Sequence, residues 1–377
     1  MKGRYRNRNI GILTFPINRA GNIPLSNLVD VLYPSSNNIY LITGNDGYRL
    51  FKGDKRFYTY GIRHESGENP FTRILRYIYT QLIISYELGK LSKKIDLWIF
   101  FMGGDALLLP MLTAKLFRKK VVLASAGSLV QSYKFVNDNP SKAVEILVNI
   151  NRALSNRIII YSQNIIKEWK LEKYRDKISI AHKHFLDFNK FKIKKDFHER
   201  DNLVGYIGRL SEEKGVLNFI TAIILILKQR DDLKILIGGS GQLRDKIGKY
   251  LYENNLNSTV KLTGWMPHDE LPDYLNELKL VVLPSYTEGL PNIMLEAMAC
   301  GTPVLATPVG ALPDIITDGN TGFIMANNSP ECIADNVVRA LKYPDLGRIV
   351  ENARVLVERE FTYEAAVEKY KKILEGM

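Results

Sequence analysis

Two carboxylates eight residues apart, Glu288 and Glu296, bracket a turn within the segment VVLPSYTEGLPNIMLEAMACGTPVL over 281–305, which could bind a long, polar, anionic ligand. Leu280 to Leu283 is an apolar run of the kind a buried parallel strand needs. Pro284 to Leu290 follows no period and reads as a loop. Pro291 sits where a first helical residue belongs, and Asn292 to Ala299 reads as the helix. Cys300-Gly301-Thr302-Pro303 stops it. The first N–H groups of such a helix lack intrahelical acceptors and can take a phosphate. A carboxylate on either side can accept hydrogen bonds from hydroxyl groups. Sugar hydroxyls, a diphosphate and ribose hydroxyls, in that order, would fill this layout.

A second cluster lies upstream, in Gly205-Tyr206-Ile207-Gly208-Arg209-Leu210-Ser211-Glu212-Glu213-Lys214-Gly215. It ends a strand, turns at Gly208 and opens a helix near Gly215. Arg209 and Lys214 fall in the turn, where two cations facing a helix start suit a diphosphate. A solvated surface turn is the plain alternative, and the carboxylate segment argues against it. Gly238-Gly239-Ser240-Gly241 follows the next strand, where glycines let a backbone approach a ligand. Gly264-Trp265-Met266 follows another, where backbone groups could meet a nucleobase.

Positioning these loops calls for strand–helix units. In the first half strands are expected at Ile10–Phe15, Asn38–Ile42, Leu97–Phe101, Lys120–Ala124 and Arg157–Tyr161. Helices are expected near Ile23–Tyr33, Pro70–Leu91, Ala106–Phe117 and Ser141–Leu154. In the second half strands fall at Leu203–Ile207, Lys234–Ile237, Val260–Leu262, Leu280–Leu283, Val304–Ala306 and Gly322–Met325. The charged stretch Asp187–Asn202 reads as a linker, and Thr362–Leu374 as an amphipathic helix. Two doubly wound sheets would place the carboxyl ends of their strands around a shared cleft, where ligands of open α/β sheets bind. The first strand-to-helix loop, Thr14 to Asn22, would aim Gly21 and Asn22 into that cleft.

Bulk properties narrow the class. The chain has 377 residues, 46% of them hydrophobic and 24% charged, which suits a two-domain globular protein. Its two cysteines, Cys300 and Cys332, cannot build a disulfide framework, so a reducing compartment is expected. No run approaches the ~20 apolar residues of a membrane span. A cytoplasmic protein is therefore expected. The net charge of +12 is uneven: residues 1–184 carry +16 and the remainder −4. Nucleic acid, an anionic membrane face or a phosphorylated substrate could each answer a basic half, as could solvent alone. The stretch Pro70–Lys94 reads either as a core helix or as an interfacial one, with Arg73, Arg76, Lys90, Lys93 and Lys94 flanking an apolar middle. No nucleic-acid-binding motif is visible, so a membrane or a lipid-linked acceptor is the expected partner.

Taken together, these residues resemble the retaining, nucleotide-sugar-dependent glycosyltransferases of the glycogen-synthase-like class, family 4. The specific parts are Glu-x7-Glu, Glu288 to Glu296, and Gly-Arg-Leu-x4-Lys-Gly, Gly208 to Gly215. Ala181 to Phe191 is similar to the family's junction segment through Asp187 and Phe191, with His184 where the family usually has Asn. The resemblance implies a GT-B fold: an acceptor-binding Rossmann-like domain, 1–186, joined by the last helix, 361–377, and a donor-binding one, 187–360. It implies that Arg209 and Lys214 hold and stabilise the leaving diphosphate, that Glu288 binds donor-sugar hydroxyls, and that Glu296 binds the ribose. Gly21, Gly208, Gly239, Ser240, Met266, Gly289, Leu290, Pro291 and Asn292 would complete the donor site. Asn22, Ser125 and His184 would lie on the acceptor side. A UDP- or GDP-linked donor is implied. Two cations and a helix terminus can offset the leaving charge; with no Asp-x-Asp motif in the chain, no metal and no cofactor are expected.

One departure stands out. Many family members carry a His after the strand aligned with Val121–Leu123, where this chain reads Ala124-Ser125-Ala126-Gly127-Ser128. Ser125 and Ser128 can donate hydrogen bonds but are poor bases. The leading expectation is a glycosyltransferase acting on a glycan or lipid-linked acceptor for the cell surface, peripheral on the inner face of the membrane. A GT-B epimerase or phosphorylase competes, although nothing marks a pyridoxal lysine. A catalytically inactive scaffold is the non-enzyme alternative, and the intact Arg209, Lys214, Glu288 and Glu296 argue against it.

Overall fold

The computed structural model describes residues 8–125, 127 and 141–377. It divides into two compact units, Met1–Phe185 with Tyr363–Met377, and Leu186–Thr362. The first holds a seven-stranded sheet in the order β3-β2-β1-β4-β5-β6-β7. Its strands are β1 (Arg8–Thr14), β2 (Ser36–Gly44), β3 (Phe57–Ile62), β4 (Leu97–Phe101), β5 (Lys120–Ala124), β6 (Arg157–Ile160) and β7 (Ile178–Ile180). All neighbours run parallel. Central strands read as continuous apolar runs because helices cover both faces; all five residues of β4 are buried. Edge strands β3 and β7 lack that signal. Phe57–Ile62 buries only its two end residues, Ile178–Ile180 is short, and neither is expected from the sequence. The helix Tyr363–Glu375 buries Ala366, Tyr370 and Leu374 on one face of this sheet.

The second unit holds a six-stranded sheet, β10-β9-β8-β11-β12-β13, also parallel throughout. Its strands are β8 (Leu203–Ile207), β9 (Lys234–Gly238), β10 (Val260–Gly264), β11 (Leu280–Leu283), β12 (Val304–Ala306) and β13 (Phe323–Ile324). The strand order reverses between β8 and β11, so the loops leaving those two strands part there and leave a crevice. The stretch 187–202 is more than a linker. Arg200 is buried and donates to the carbonyls of Leu275, Leu278 and Cys300 and to Thr302 Oγ1, which fixes the stretch onto the second unit. Among the described residues no helix is long and apolar enough to cross a membrane.

Candidate active site

The loops after β8 and β11 carry the two sequence clusters and are stitched together by backbone. Gly215 caps the helix Val216–Gln229 with φ +64°, and a Cβ there would run into the carbonyl of Pro284. Only glycine permits both the left-handed turn and that approach. Asn328 Nδ2 donates to the same carbonyl at 2.9 Å. Tyr286 N–H donates to Glu213 O at 3.0 Å. On the other side, Gly310 has φ +60° and sits against the Glu288 carbonyl, while Ala311 N–H donates to Gly289 O.

This stitching brings Lys214 to Glu288. Lys214 Nζ lies 2.7 and 2.8 Å from the two carboxylate oxygens, and the Glu288 side chain is 7% exposed. Ser285 Oγ donates to Glu288 Oε1 at 2.7 Å. The carboxylate thus accepts three hydrogen bonds and keeps room for a fourth. Arg209 does not join the pair. Its side chain is 65% exposed and bridges to Glu213 at 2.9 Å, while its own carbonyl accepts from Tyr206 OH. Burial, with Glu288 and Glu213 close by, raises the Tyr206 phenol, so it stays a donor. Pro291 is extended, at φ −74° and ψ 124°, and caps the helix Asn292–Ala299 rather than starting it. Met294 N–H donates to Pro291 O at 3.2 Å; the two N–H groups before it, at the helix start, have no carbonyl one turn back to receive them.

The backbone around Gly239 also requires glycine. Its φ is +129°, and a Cβ would meet the Gly208 carbonyl. Gly208 N–H donates to Gly238 O, Leu210 N–H to Ser240 O, and Gly239 N–H to Gly264 O. Met266 packs its sulfur against Gly238. Glu296 is buried and accepts from His268 Nε2 at 2.9 Å. Lys190 Nζ lies 3.1 Å from His268 Nδ1. An ammonium group can only donate, so Nδ1 accepts, and Nε2 carries the proton given to Glu296. Phe191, itself buried, lies against the imidazole at 5.3 Å between ring centroids, and its N–H donates to Asp187 O. Sequence reasoning matched Asp187 and Phe191 but missed Ser285, Glu213 and His268. His268 lies two residues past Met266, in a loop that carried no motif.

In the first unit, Gly21 ends a short turn, and a Cβ there would press on Met102 and Ile17. Asn22 opens the next helix with its side-chain oxygen buried. Ser125 closes β5, its N–H donating to Ile159 O; Ser128 lies outside the described residues. His184 is buried edge-on to Tyr161, and burial beside Lys183 and His182 holds it well below the usual range. It is a neutral packing group here rather than an exposed acceptor contact. A 660 Å³ pocket opens where the loops after β1, β2 and β3 meet, lined among others by Asn18, Asn45, Arg49 and His64. His64 was not expected from the sequence. Thr80 Oγ1 gives its proton to Arg76 O, so it must accept from His64 Nδ1 at 2.8 Å. Burial and Arg76 lower the His64 imidazole, which leaves Nε2 as an acceptor.

Two parallel Rossmann-like units define a GT-B architecture, with a polar crevice at the switch point of the second sheet. Residues 187–373, the second unit and most of the last helix, match the model of the family of group 1 glycosyl transferases. The alpha-D-kanosaminyltransferase of Streptomyces kanamyceticus is 34% identical over 165 residues, 44% of this chain and 43% of that one. The capsular polysaccharide biosynthesis glycosyltransferase CapM of Staphylococcus aureus is 28% identical over 228 residues, 57% of each chain. The chain thus spans about half the length of the curated relatives it matches. Among solved structures, Anabaena HepE in complex with UDP and glucose superposes with a TM-score of 0.76 at 16% identity, covering 97% of this chain and 100% of that one. That likeness shows the fold.

Proposed function

We propose that the protein is a retaining glycosyltransferase of family 4, moving a sugar from a UDP- or GDP-linked donor to a glycan or lipid-linked acceptor for the cell surface. The observation that carries this is the Lys214–Glu288 pair, 2.7 Å apart at the switch point, within the region that matches group 1 glycosyl transferases. Lys214 would turn to the diphosphate when it enters, joined by Arg209 and the start of the helix Asn292–Ala299. Glu288, relieved of Lys214 but still held by Ser285, would accept from sugar hydroxyls. Glu296, oriented by His268, would accept from the ribose. Breaking the sugar–phosphate bond leaves positive charge on the sugar and negative charge on the nucleoside diphosphate; fixed cations stabilise the second. HepE with bound UDP and glucose, and CapM, named for capsular polysaccharide biosynthesis, support the donor and acceptor classes. The first unit would bind the acceptor, with the protein cytoplasmic and peripheral on the inner face of the membrane.

The test is a thermal-shift screen of nucleotide sugars, followed by transfer from the best donor to an envelope extract. A UDP- or GDP-sugar should raise Tm and yield labelled glycan or glycolipid. No shift with any donor, together with no turnover, overturns the reading.

A further inference from the structure

The helix Pro70–Leu91 has two apolar faces, and only one of them is used. Ile84, Leu88 and Leu91 are buried against the first sheet, with Thr80 and Gln81 beside them. The opposite face carries Phe71, Ile74, Leu75 and Ile78 in its first half and Tyr79, Leu82 and Tyr86 in its second, all exposed. At ~100° per residue these positions fall within one stripe, about 140° wide, that holds no charged side chain. Phe71 is 70%, Tyr79 64% and Tyr86 66% exposed, so these are not edges of a core. The patch continues onto the next helix, Leu108–Leu116. Gly89 lies within contact distance of the Phe117 ring, and Leu112, Leu116 and Phe117 are exposed beside it, Leu116 by 80%.

Monomeric soluble proteins rarely leave such an area open unless it binds something. The surrounding charge says what. Arg73 and Arg76 turn away from the stripe and donate to the carbonyls of residues 65–67. Further basic groups gather at the other end. Lys90 lies over the Tyr86 ring at 5.2 Å and pairs with Glu87. Lys93 and Lys94 follow in the exposed turn, and Arg118 follows Phe117. A face of aliphatic and aromatic side chains with lysines and an arginine at its margin is complementary to a bilayer with anionic headgroups, where rings and cations sit at the interface. A second copy of the chain would set those cations against one another.

We propose that the stripe from Phe71 to Tyr86, with Leu112, Leu116 and Phe117, is a membrane-docking face that seats the first unit on an anionic bilayer. It rests for its purpose on the membrane-side acceptor proposed above. The apolar residues enter the headgroup boundary, and Lys90, Lys93, Lys94 and Arg118 remain with the phosphates.

Flotation of the full-length protein with vesicles of phosphatidylglycerol and phosphatidylcholine in equal parts tests this. The protein should float at low salt and much less with phosphatidylcholine alone. A variant carrying Ile74→Asn, Ile78→Asn and Leu82→Asn should lose partitioning by tenfold or more while keeping Tm and uridine diphosphate binding. Lys93→Gln with Lys94→Gln should weaken it about fivefold for each charge removed, and raised salt should reproduce that loss. Tyr79→Trp should shift its emission to the blue on vesicles. Absence of flotation, or flotation untouched by the triple variant, overturns the proposal. So does a wild-type dimer in solution that the triple variant disperses, since the face would then join two copies. Donor turnover by a protein that does not float would sink this proposal and leave the transfer reaction standing.

Discussion

Two lysines show how differently the two units use a cation inside the fold. In the second, Lys214 is about three-quarters buried, but it faces Glu288 across 2.7 Å, and Ser285 steadies the carboxylate. In the first, Lys183 is 1% exposed and meets no carboxylate among the described residues. Its Nζ donates to Tyr161 OH at 2.6 Å and lies 5.1 and 4.8 Å from the Phe101 and Tyr161 rings. Burial alone pulls that lysine down to about 7. Buried without a carboxylate beside it, Lys183 has nothing to offset the loss of water around its charge. A paired cation can change partners when a diphosphate arrives. An unpaired one is a packing element with a proton it holds weakly.

The sharpest way to break this comparison is to remove the paired cation. Lys214→Ala should lower turnover about a hundredfold, since one charge-assisted contact to a diphosphate is worth ~1.5–3 kcal/mol. It should also lower stability by about 1–3 kcal/mol, because Glu288 is left buried with only Ser285. Arg209→Ala should reduce turnover by tenfold or more yet leave stability within ~0.5 kcal/mol, since the Arg209 end of its bridge to Glu213 is exposed and Glu213 keeps Ser211 as a donor. Parallel kinetics and denaturant titrations check this. Equal stability losses in the two variants would mean that the pairing at Glu288 has no special role.

Lys183 gives the second test, with a definite sign. Below pH 7 it is charged in both the folded and unfolded states, and the burial penalty is fully present. Between about 7 and its ordinary 10.5 the unfolded chain binds the extra proton, so stability rises with pH across that window. Lys183→Met removes the penalty but leaves Tyr161 OH without its donor. The variant should gain about 2 kcal/mol over wild type at pH 6, and the gain should shrink toward pH 10. Denaturant titrations at pH 6 and pH 9 measure it. A gap that stays the same at pH 6 and pH 9 would show that Lys183 keeps its charge when folded.

Much of the second unit's site was legible because a parallel sheet writes its own punctuation. Buried strands appear as apolar runs, and the glycines that let loops touch, 208, 215 and 239, lie directly after them or at the next helix start. Glu288 and Glu296 stood out by their spacing around a helix start. Pairing was not legible. Nothing in the local sequence says that Lys214 meets Glu288 while Arg209 turns to Glu213; that depends on where the Gly215 backbone settles on Pro284. His268 was invisible because its partners Lys190 and Glu296 are distant in sequence. The helix Pro70–Leu91 was read with two fates open, core or interface. One apolar face packs on the sheet and a second is left exposed: apolar periodicity reports how many faces are apolar, not which of them is covered.

The smallest expected effects separate the two carboxylates by the part of the ligand each meets. Glu296 accepts from His268 on Oε1, which leaves Oε2 for ribose hydroxyls. Glu296→Gln replaces an ionised acceptor by a neutral amide and should weaken uridine diphosphate binding about tenfold, the difference of ~1.4 kcal/mol between charged and neutral hydrogen bonds. His268→Ala removes only the group that aims the carboxylate, so a loss of about threefold is expected. Glu288→Gln should leave diphosphate affinity within about twofold, or tighten it, because Lys214 is freed from its anion, while transfer falls since the sugar loses its acceptor. Calorimetry with uridine diphosphate alone, set beside transfer rates with the intact donor, distinguishes these outcomes. If Glu288→Gln and Glu296→Gln weaken the diphosphate equally, both carboxylates meet the nucleotide, and the division of the site into sugar and ribose ends fails.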